Sequence, residues 1–227
     1  MNIRKTLIFL CLISLSVTVY PLIVRGGAAA EKEARSSEIR ELLSGVEQKI
    51  SGFRSLKTGF VQEKNLAVFK SRITIRGRIY LQKPGRIAWH VDDPVRYSVV
   101  ISDKSVRQWD EDTGRVQEIS LSGNPVFRSF MDQMAVWFSG DYISLLKDYE
   151  VEVLQRSPLV LGFTPKENNP AVKIIKKITV GLREDEKYLK QITILESSGD
   201  STTIIFKDTV FDAPIDSSDF EVKRRVR

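Results

Sequence analysis

The chain of 227 residues contains one cysteine, Cys11, and one histidine, His90. Cys11 lies in an apolar N-terminal run preceded by Leu10, where a lipidated cysteine would follow a small residue, so it reads as ordinary filler of that run. If the run is removed as a leader, no thiol is left, and disulfides and a catalytic cysteine are excluded; the fold must then rest on core burial alone. With one histidine and no second cysteine, a zinc site would need carboxylates, and they do not occur at suitable spacing. A nucleophile elbow and a glycine-rich phosphate loop are also lacking. His90 has the strand parity opposite to Ile87 and Trp89 and is expected to face solvent, and Glu184-Asp185-Glu186 reads as a solvated turn. These absences argue against an enzyme, and neither a cofactor nor a metal is expected.

A large excess of one charge sign is lacking too. The formal net charge is +6, and loss of residues 1–30 would remove Arg4, Lys5 and Arg25 and no acid, lowering it to +3. The basic residues are dispersed except at Arg72/Arg76/Arg78 and Lys223-Arg224-Arg225, which argues against nucleic acid as a partner.

What is present begins with a leader-like segment. Arg4 and Lys5 precede the apolar run Leu7 to Val19, and Ala28-Ala29-Ala30 follows; residues 1–30 are expected to be a secretory signal peptide cut near Ala30, leaving 31–227 as one domain. An uncleaved membrane anchor is the alternative, because the apolar run to Val24 approaches the ~20 residues that span a bilayer.

From Glu31 to Ile50 apolar residues recur at Ile39, Leu42, Leu43, Val46 and Ile50, the spacing of one helical stripe. Gly52 is a stop signal. The period then switches to two. Ile73, Ile75, Gly77, Ile79 and Leu81 share one face of a strand, and Arg72, Thr74, Arg76, Arg78 and Tyr80 share the other. Lys83-Pro84-Gly85 turns this strand into Arg86 to Val91. About ten strands follow in short succession, the later ones over Tyr97 to Ser102, Ser105 to Asp110, Gln117 to Leu121, Tyr149 to Leu154, Leu159 to Thr164, Ile174 to Leu182, Tyr188 to Glu196 and Ser201 to Phe211. One segment breaks the pattern: Asn124 to Lys147 is Met- and aromatic-rich at helical spacing, with Asn124 placed to cap it and an interruption near Ser139-Gly140-Asp141.

A sheet with one apolar face must cover that face by closing on itself or by packing helices on it. Two helical regions are available. Complete coverage gives an ordinary filled core; incomplete coverage leaves a pocket for an apolar ligand. The Met- and aromatic-rich segment is open to the same two readings, as core or as an adaptable lid.

The run from Gly59 to Pro94, GFVQEKNLAVFKSRITIRGRIYLQKPGRIAWHVDDP, resembles the outer-membrane lipoprotein carrier (LolA) family. The motif residues are Phe60 and Gln62, Gly77, Lys83-Pro84, Trp89 and Pro94. Ser102 to Val106, Leu161 to Pro165 and Ser197 to Asp208 match as well, so the resemblance spans about Glu38 to Phe220. It implies an α+β, mainly antiparallel β fold: an incomplete, half β-barrel with an α-helical lid over a hydrophobic cavity. It also implies a monomeric periplasmic carrier. Such a protein takes the acyl chains of a lipoprotein from an inner-membrane lipoprotein-releasing transporter and delivers them to an outer-membrane acceptor. Where the family commonly has an arginine before the proline, holding the lid, this chain has Lys83, and Ile87 replaces an aromatic residue.

On this reading Phe60, Ile79, Leu81, Ile87, Trp89 and Val100 from the sheet line the lipid-binding cavity. Leu42, Val46, Phe130, Met134, Trp137 and Phe138 from the helices complete it, and Lys83 is the lid latch. Other readings keep the fold and change the cargo to a glycolipid or polyene, or make the protein a periplasmic stress sensor that binds lipoproteins. An esterase on the same scaffold would depend on His90.

Overall fold

The computed structural model describes residues 26–68, 71–120, 136–137 and 140–222, with side chains on the first helix from Glu33. Helix α1 (Gly26–Ser51) comes first. Its stripe is the one the spacing marks out: Leu43, Val46 and Ile50 are fully buried, and Ile39 and Leu42 are half-buried beside them. Burying a Leu, Val or Ile side chain is worth about 1.5–3 kcal/mol, so these residues hold the helix down over its C-terminal half.

Eleven strands follow, one more than the approximate count read from the sequence. They are β1 (Ser55–Leu66), β2 (Ser71–Gln82), β3 (Arg86–Asp93), β4 (Tyr97–Ile101), β5 (Ser105–Asp110), β6 (Val116–Ser120), β7 (Tyr149–Arg156), β8 (Leu159–Pro165), β9 (Ile175–Leu182), β10 (Leu189–Glu196) and β11 (Ser201–Phe211). They form one sheet in the order β6-β5-β4-β3-β2-β1-β11-β10-β9-β8-β7. Two meanders, β1 to β6 and β7 to β11, are thus joined where the first strand pairs antiparallel with the last. Strands β6 and β7 lie at opposite ends of the sheet, which curls without closing: the architecture is an incomplete barrel. Strand twist makes a flat sheet of this size costly. Bulges between Lys57 and Gly59 and between Arg76 and Gly77 add local bending.

The alternation along the β2–β3 hairpin decides which side is which. Ile79 pairs with Trp89 and Leu81 with Ile87, and all four face α1. Gly77 stands opposite Phe60. A Cβ there would lie 1.9 Å from the His90 carbonyl oxygen and 2.8 Å from the Phe60 ring. The absence of a side chain lets the Phe60 ring reach Trp89, with centroids 4.8 Å apart.

The outer face is not wholly wet. Tyr80, Ala88 and Val100 form a second buried cluster, covered by Phe220 and Val222 from the C-terminal segment, whose 3₁₀ turn spans Ser217–Phe220. Two sequence expectations are corrected here. Val100 pairs with Ala88, not with Ile87 or Trp89, and so belongs to this outer cluster and not to the concave wall. His90 has the expected outward parity but is buried, because the same C-terminal segment lies over it.

The helix expected over Asn124 to Lys147 falls largely outside the described residues, and with it Phe130, Met134 and Phe138. The described part contains helical residues 136–137, a turn at Gly140 and a 3₁₀ turn at Ser144–Lys147. The expected interruption near Gly140 is present: Gly140 takes the left-handed conformation, with φ +84.

Candidate functional site

The concave wall is a continuous apolar surface. Phe60, Ile79, Leu81 and Ile87 from β1 to β3 are buried in one cluster with Leu161, Phe163, Val180 and Leu182 from β8 and β9. Opposite them stand Leu43, Val46 and Ile50 of α1, together with Trp137. The Trp137 ring packs edge-on against Phe163 and Tyr149, at centroid distances of 5.0 and 5.6 Å. Of the proposed wall residues, Phe60, Ile79, Leu81, Ile87, Val46 and Trp137 come together in this cluster, and Trp89 and Leu42 pack half-buried at its margin.

In this structure the protein's own side chains occupy the wall. At the margin a void of about 300 Å³ opens between the middle of α1 and the edge strand β7. It is lined by Ile39, Leu42, Val153 and Leu154, and the Glu38–Arg156 ion pair stands at its mouth. Away from α1, Val91, Ile194 and Ile204 are only half-buried. There the wall carries a polar pair, with Lys64 Nζ donating to Glu196 Oε1 at 3.0 Å and both side chains about five-sixths covered. The wall is therefore sealed by α1 at one end and less covered at the other.

Three contacts tie α1 to the sheet at its C-terminal end. Lys83 Nζ sits 4.1 Å from the centroid of Phe53, two residues past the end of the helix. Its backbone N–H donates to the Arg54 carbonyl oxygen at 2.8 Å. Burial lowers the Lys83 pKa, and the Asp212 carboxylate partly offsets this. Asp212 in turn accepts from the Arg54 backbone N–H at 2.7 Å. Lys83 therefore reaches the point where α1 joins β1. Separately, Ile50 meets Gly140, joining α1 to the segment carrying Trp137.

Sequence reasoning missed two residues within the same core, Tyr142 and Tyr188. Both are fully buried. Burial raises both phenol pKa values; for Tyr142 the neighbouring Tyr188 phenol is the second cause. Both lie outside regular strands, so no periodicity marks them. Tyr188 opens the expected strand Tyr188 to Glu196, but β10 begins one residue later, at Leu189, so strand parity does not place it.

No group of three or more potential metal ligands occurs among the described residues. His90 has both ring nitrogens engaged: Nε2 donates to the Asp219 carbonyl oxygen at 2.7 Å, which leaves Nδ1 to accept from the Ser98 hydroxyl at 2.9 Å. It fastens the C-terminal segment on the outer face, away from the wall. No helix among the described residues is long and apolar enough to cross a membrane.

Comparison with known proteins agrees with this geometry. Residues 51–223 match the family model described as outer membrane lipoprotein carrier protein LolA. The outer-membrane lipoprotein carrier protein of Chromohalobacter salexigens is 27% identical over 145 residues, covering 63% of this chain and 64% of the relative. The chain thus spans somewhat less than two thirds of that protein's length. The protein of the same name from Coxiella burnetii is 22% identical over 180 residues, covering 78% of this chain and 80% of the relative. Among solved structures, an uncharacterized conserved protein from Thermus thermophilus shares the fold with TM-score 0.52 and 10% identity, covering 84% of this chain and 95% of that one. MucB shares it with TM-score 0.50 and 14% identity, covering 82% of this chain and 63% of that one.

Proposed function

This chain belongs to the LolA family of outer membrane lipoprotein carrier proteins, and from that premise we propose that it binds the acyl chains of lipoproteins against its concave wall and carries them across the periplasm from the inner to the outer membrane. The observation that carries the reading is the wall itself: a continuous apolar surface of an unclosed barrel, covered by α1 and Trp137. A closed barrel would hold a ligand only in its lumen. An unclosed one can widen when its cover moves.

The physics of a carrier favours such a cover. Each buried methylene is worth about 0.8 kcal/mol, so an acyl chain in an otherwise empty pocket would be held too tightly to be handed on. When α1 and Trp137 occupy the wall first, the ligand must displace them, and its net affinity falls by the contacts they lose. The wall is then protected from water in the empty carrier and accessible in the loaded one. No bond is made or broken. The partners on this reading are a lipoprotein-releasing transporter in the inner membrane and an acceptor in the outer membrane, with the carrier acting as a monomer between them. Phe60, Ile79, Leu81, Ile87, Trp89, Val46 and Trp137 contact the acyl chains, and Lys83 steadies the base of the cover.

Purified protein should take up a fluorescent apolar probe, and a diacylated or triacylated lipopeptide should displace it while the unacylated peptide does not. A well-folded protein that takes up no probe and binds no acylated peptide would overturn the reading.

A further inference from the structure

The core under α1 contains a polar group that its packing does not need. Tyr188 is fully buried, and its ring packs edge-on against Phe53, Phe206 and Phe211 at centroid distances of 5.7, 6.1 and 5.7 Å. Its hydroxyl is out of contact with solvent and has no hydrogen-bond partner among the described residues. Tyr142, also fully buried, donates its hydroxyl to the Trp137 carbonyl oxygen over a long 3.4 Å. The two phenols are near enough for Tyr188 to contribute to raising the Tyr142 pKa. The closed core therefore holds two phenolic donors in apolar surroundings, one without an acceptor and the other with a stretched bond.

A buried donor without an acceptor costs stability, and phenylalanine would fill the same space without that cost. Among the described residues the closed form offers the Tyr188 hydroxyl no acceptor, and one that enters as the cover leaves would satisfy it. Hydrocarbon has none. The ester or amide carbonyl at the head of an acyl chain does: it has no donor of its own to leave unpaired at that oxygen, and it is attached to a chain that the wall would hold.

We propose that the Tyr188 hydroxyl, assisted by Tyr142, is the polar anchor of the cavity, donating to the ester or amide carbonyl oxygen of a bound acyl chain. The proposal rests on the carrier reading and adds to it a residue and a ligand chemistry. Displacement of Trp137 by cargo would break the long Tyr142 bond and free that hydroxyl too, so that carbonyls replace the main-chain acceptor. The wall then distinguishes acylated cargo from plain hydrocarbon of equal length, and it sets how far each chain slides along the wall.

The test compares ligands as well as proteins. Dihexanoyl phosphatidylcholine and its dihexyl ether analogue, which lacks the carbonyl oxygens, compete for a bound fluorescent apolar probe in wild type and in Tyr188→Phe. Wild type should prefer the ester by about fivefold, the worth of one net hydrogen bond near 1 kcal/mol, and Tyr188→Phe should lose most of that preference while keeping its affinity for the ether. The ligand-free Tyr188→Phe protein should be at least as resistant to urea as wild type. Equal affinity of wild type for ester and ether overturns the proposal with the carrier reading intact, and so does an ester preference that survives in Tyr188→Phe. Failure of wild type to bind either lipid or the probe overturns both.

Discussion

Gly140 and Ile50 meet without room for a methyl group between them: a Cβ on Gly140 would lie 2.6 Å from Ile50 Cγ2 and 2.8 Å from its Cβ. Gly140 also has φ +84, where any other L-residue is strained. Space and conformation therefore make the same demand at the point where the segment carrying Trp137 is locked onto the last turn of α1. Gly140→Ala should force the two apart, costing about 1–3 kcal/mol by overpacking and weakening the cover over the wall. Urea denaturation should show the loss of stability, and the rate of probe uptake should rise because the cover opens more often. An unchanged uptake rate in a destabilised variant would show that this contact holds the fold but does not gate the wall.

Lys83 offers a second, smaller handle on the same end of the helix. Its ammonium lies over the Phe53 ring, a contact worth about 0.5–1 kcal/mol at a partly exposed site. Lys83→Leu should lose it and increase fraying where α1 joins β1, while Lys83→Arg should keep it, since a guanidinium also stacks on an aromatic face. Amide hydrogen exchange over residues 47–54 is the direct measurement. Faster exchange there in Lys83→Leu and not in Lys83→Arg supports a steadying role; equal exchange in all three proteins reduces Lys83 to an ordinary turn residue.

The outer cluster makes a contrasting prediction, because it is buried but stands on the wrong face to touch cargo. Phe220 packs on Tyr80, Ala88 and Val100, and the Arg86 guanidinium lies 4.1 Å from its ring centroid. Phe220→Ala should cost about 3–5 kcal/mol and release the C-terminal segment from His90. Probe affinity, measured under conditions where the variant is still folded, should stay within twofold of wild type. A large loss of affinity would mean that the two faces of the sheet are coupled.

Val100 shows what the sequence carries and what it omits. In β2 the alternation of isoleucine with arginine specifies both the strand and the face that α1 covers, and Ile79 and Leu81 lie where that pattern puts them. In β4, Tyr97 to Ile101, both faces are covered, so Val99, Val100 and Ile101 run apolar without alternation and parity has to come from pairing with β3. The cover on the outer face comes from Phe220 and Val222, more than a hundred residues away, and no local pattern announces it. The burial of His90 is hidden from the sequence for the same reason. Tyr142 and Tyr188 escape a reading by periodicity because they sit in turns, where burial depends on how the strands curl. The wall was legible from spacing, but the polar groups within it were not.

The buried tyrosines also fix how stability depends on pH. Tyr142 and Tyr188 are neutral in the fold, and burial holds their pKa values well above the usual 10.0; it also raises those of the half-buried Tyr97 and the buried Tyr149. A raised folded pKa means that the folded state keeps protons which the unfolded chain loses. Their contribution is therefore complete below pH 10 and declines as pH rises through and beyond it. Between the unfolded and folded values each fully buried tyrosine removes about 1.4 kcal/mol per pH unit. Lys83 opposes this weakly, since its lowered pKa makes its contribution grow as pH approaches 10.5. Two deeply buried phenols outweigh one partly exposed ammonium, so the urea midpoint should fall steadily above pH 10. Tyr188→Phe should reduce the slope by the share of one tyrosine, and the Tyr142→Phe/Tyr188→Phe double variant by about two. A slope unaffected by both substitutions would mean that these hydroxyls reach water in the folded protein, contrary to their burial in the core under α1.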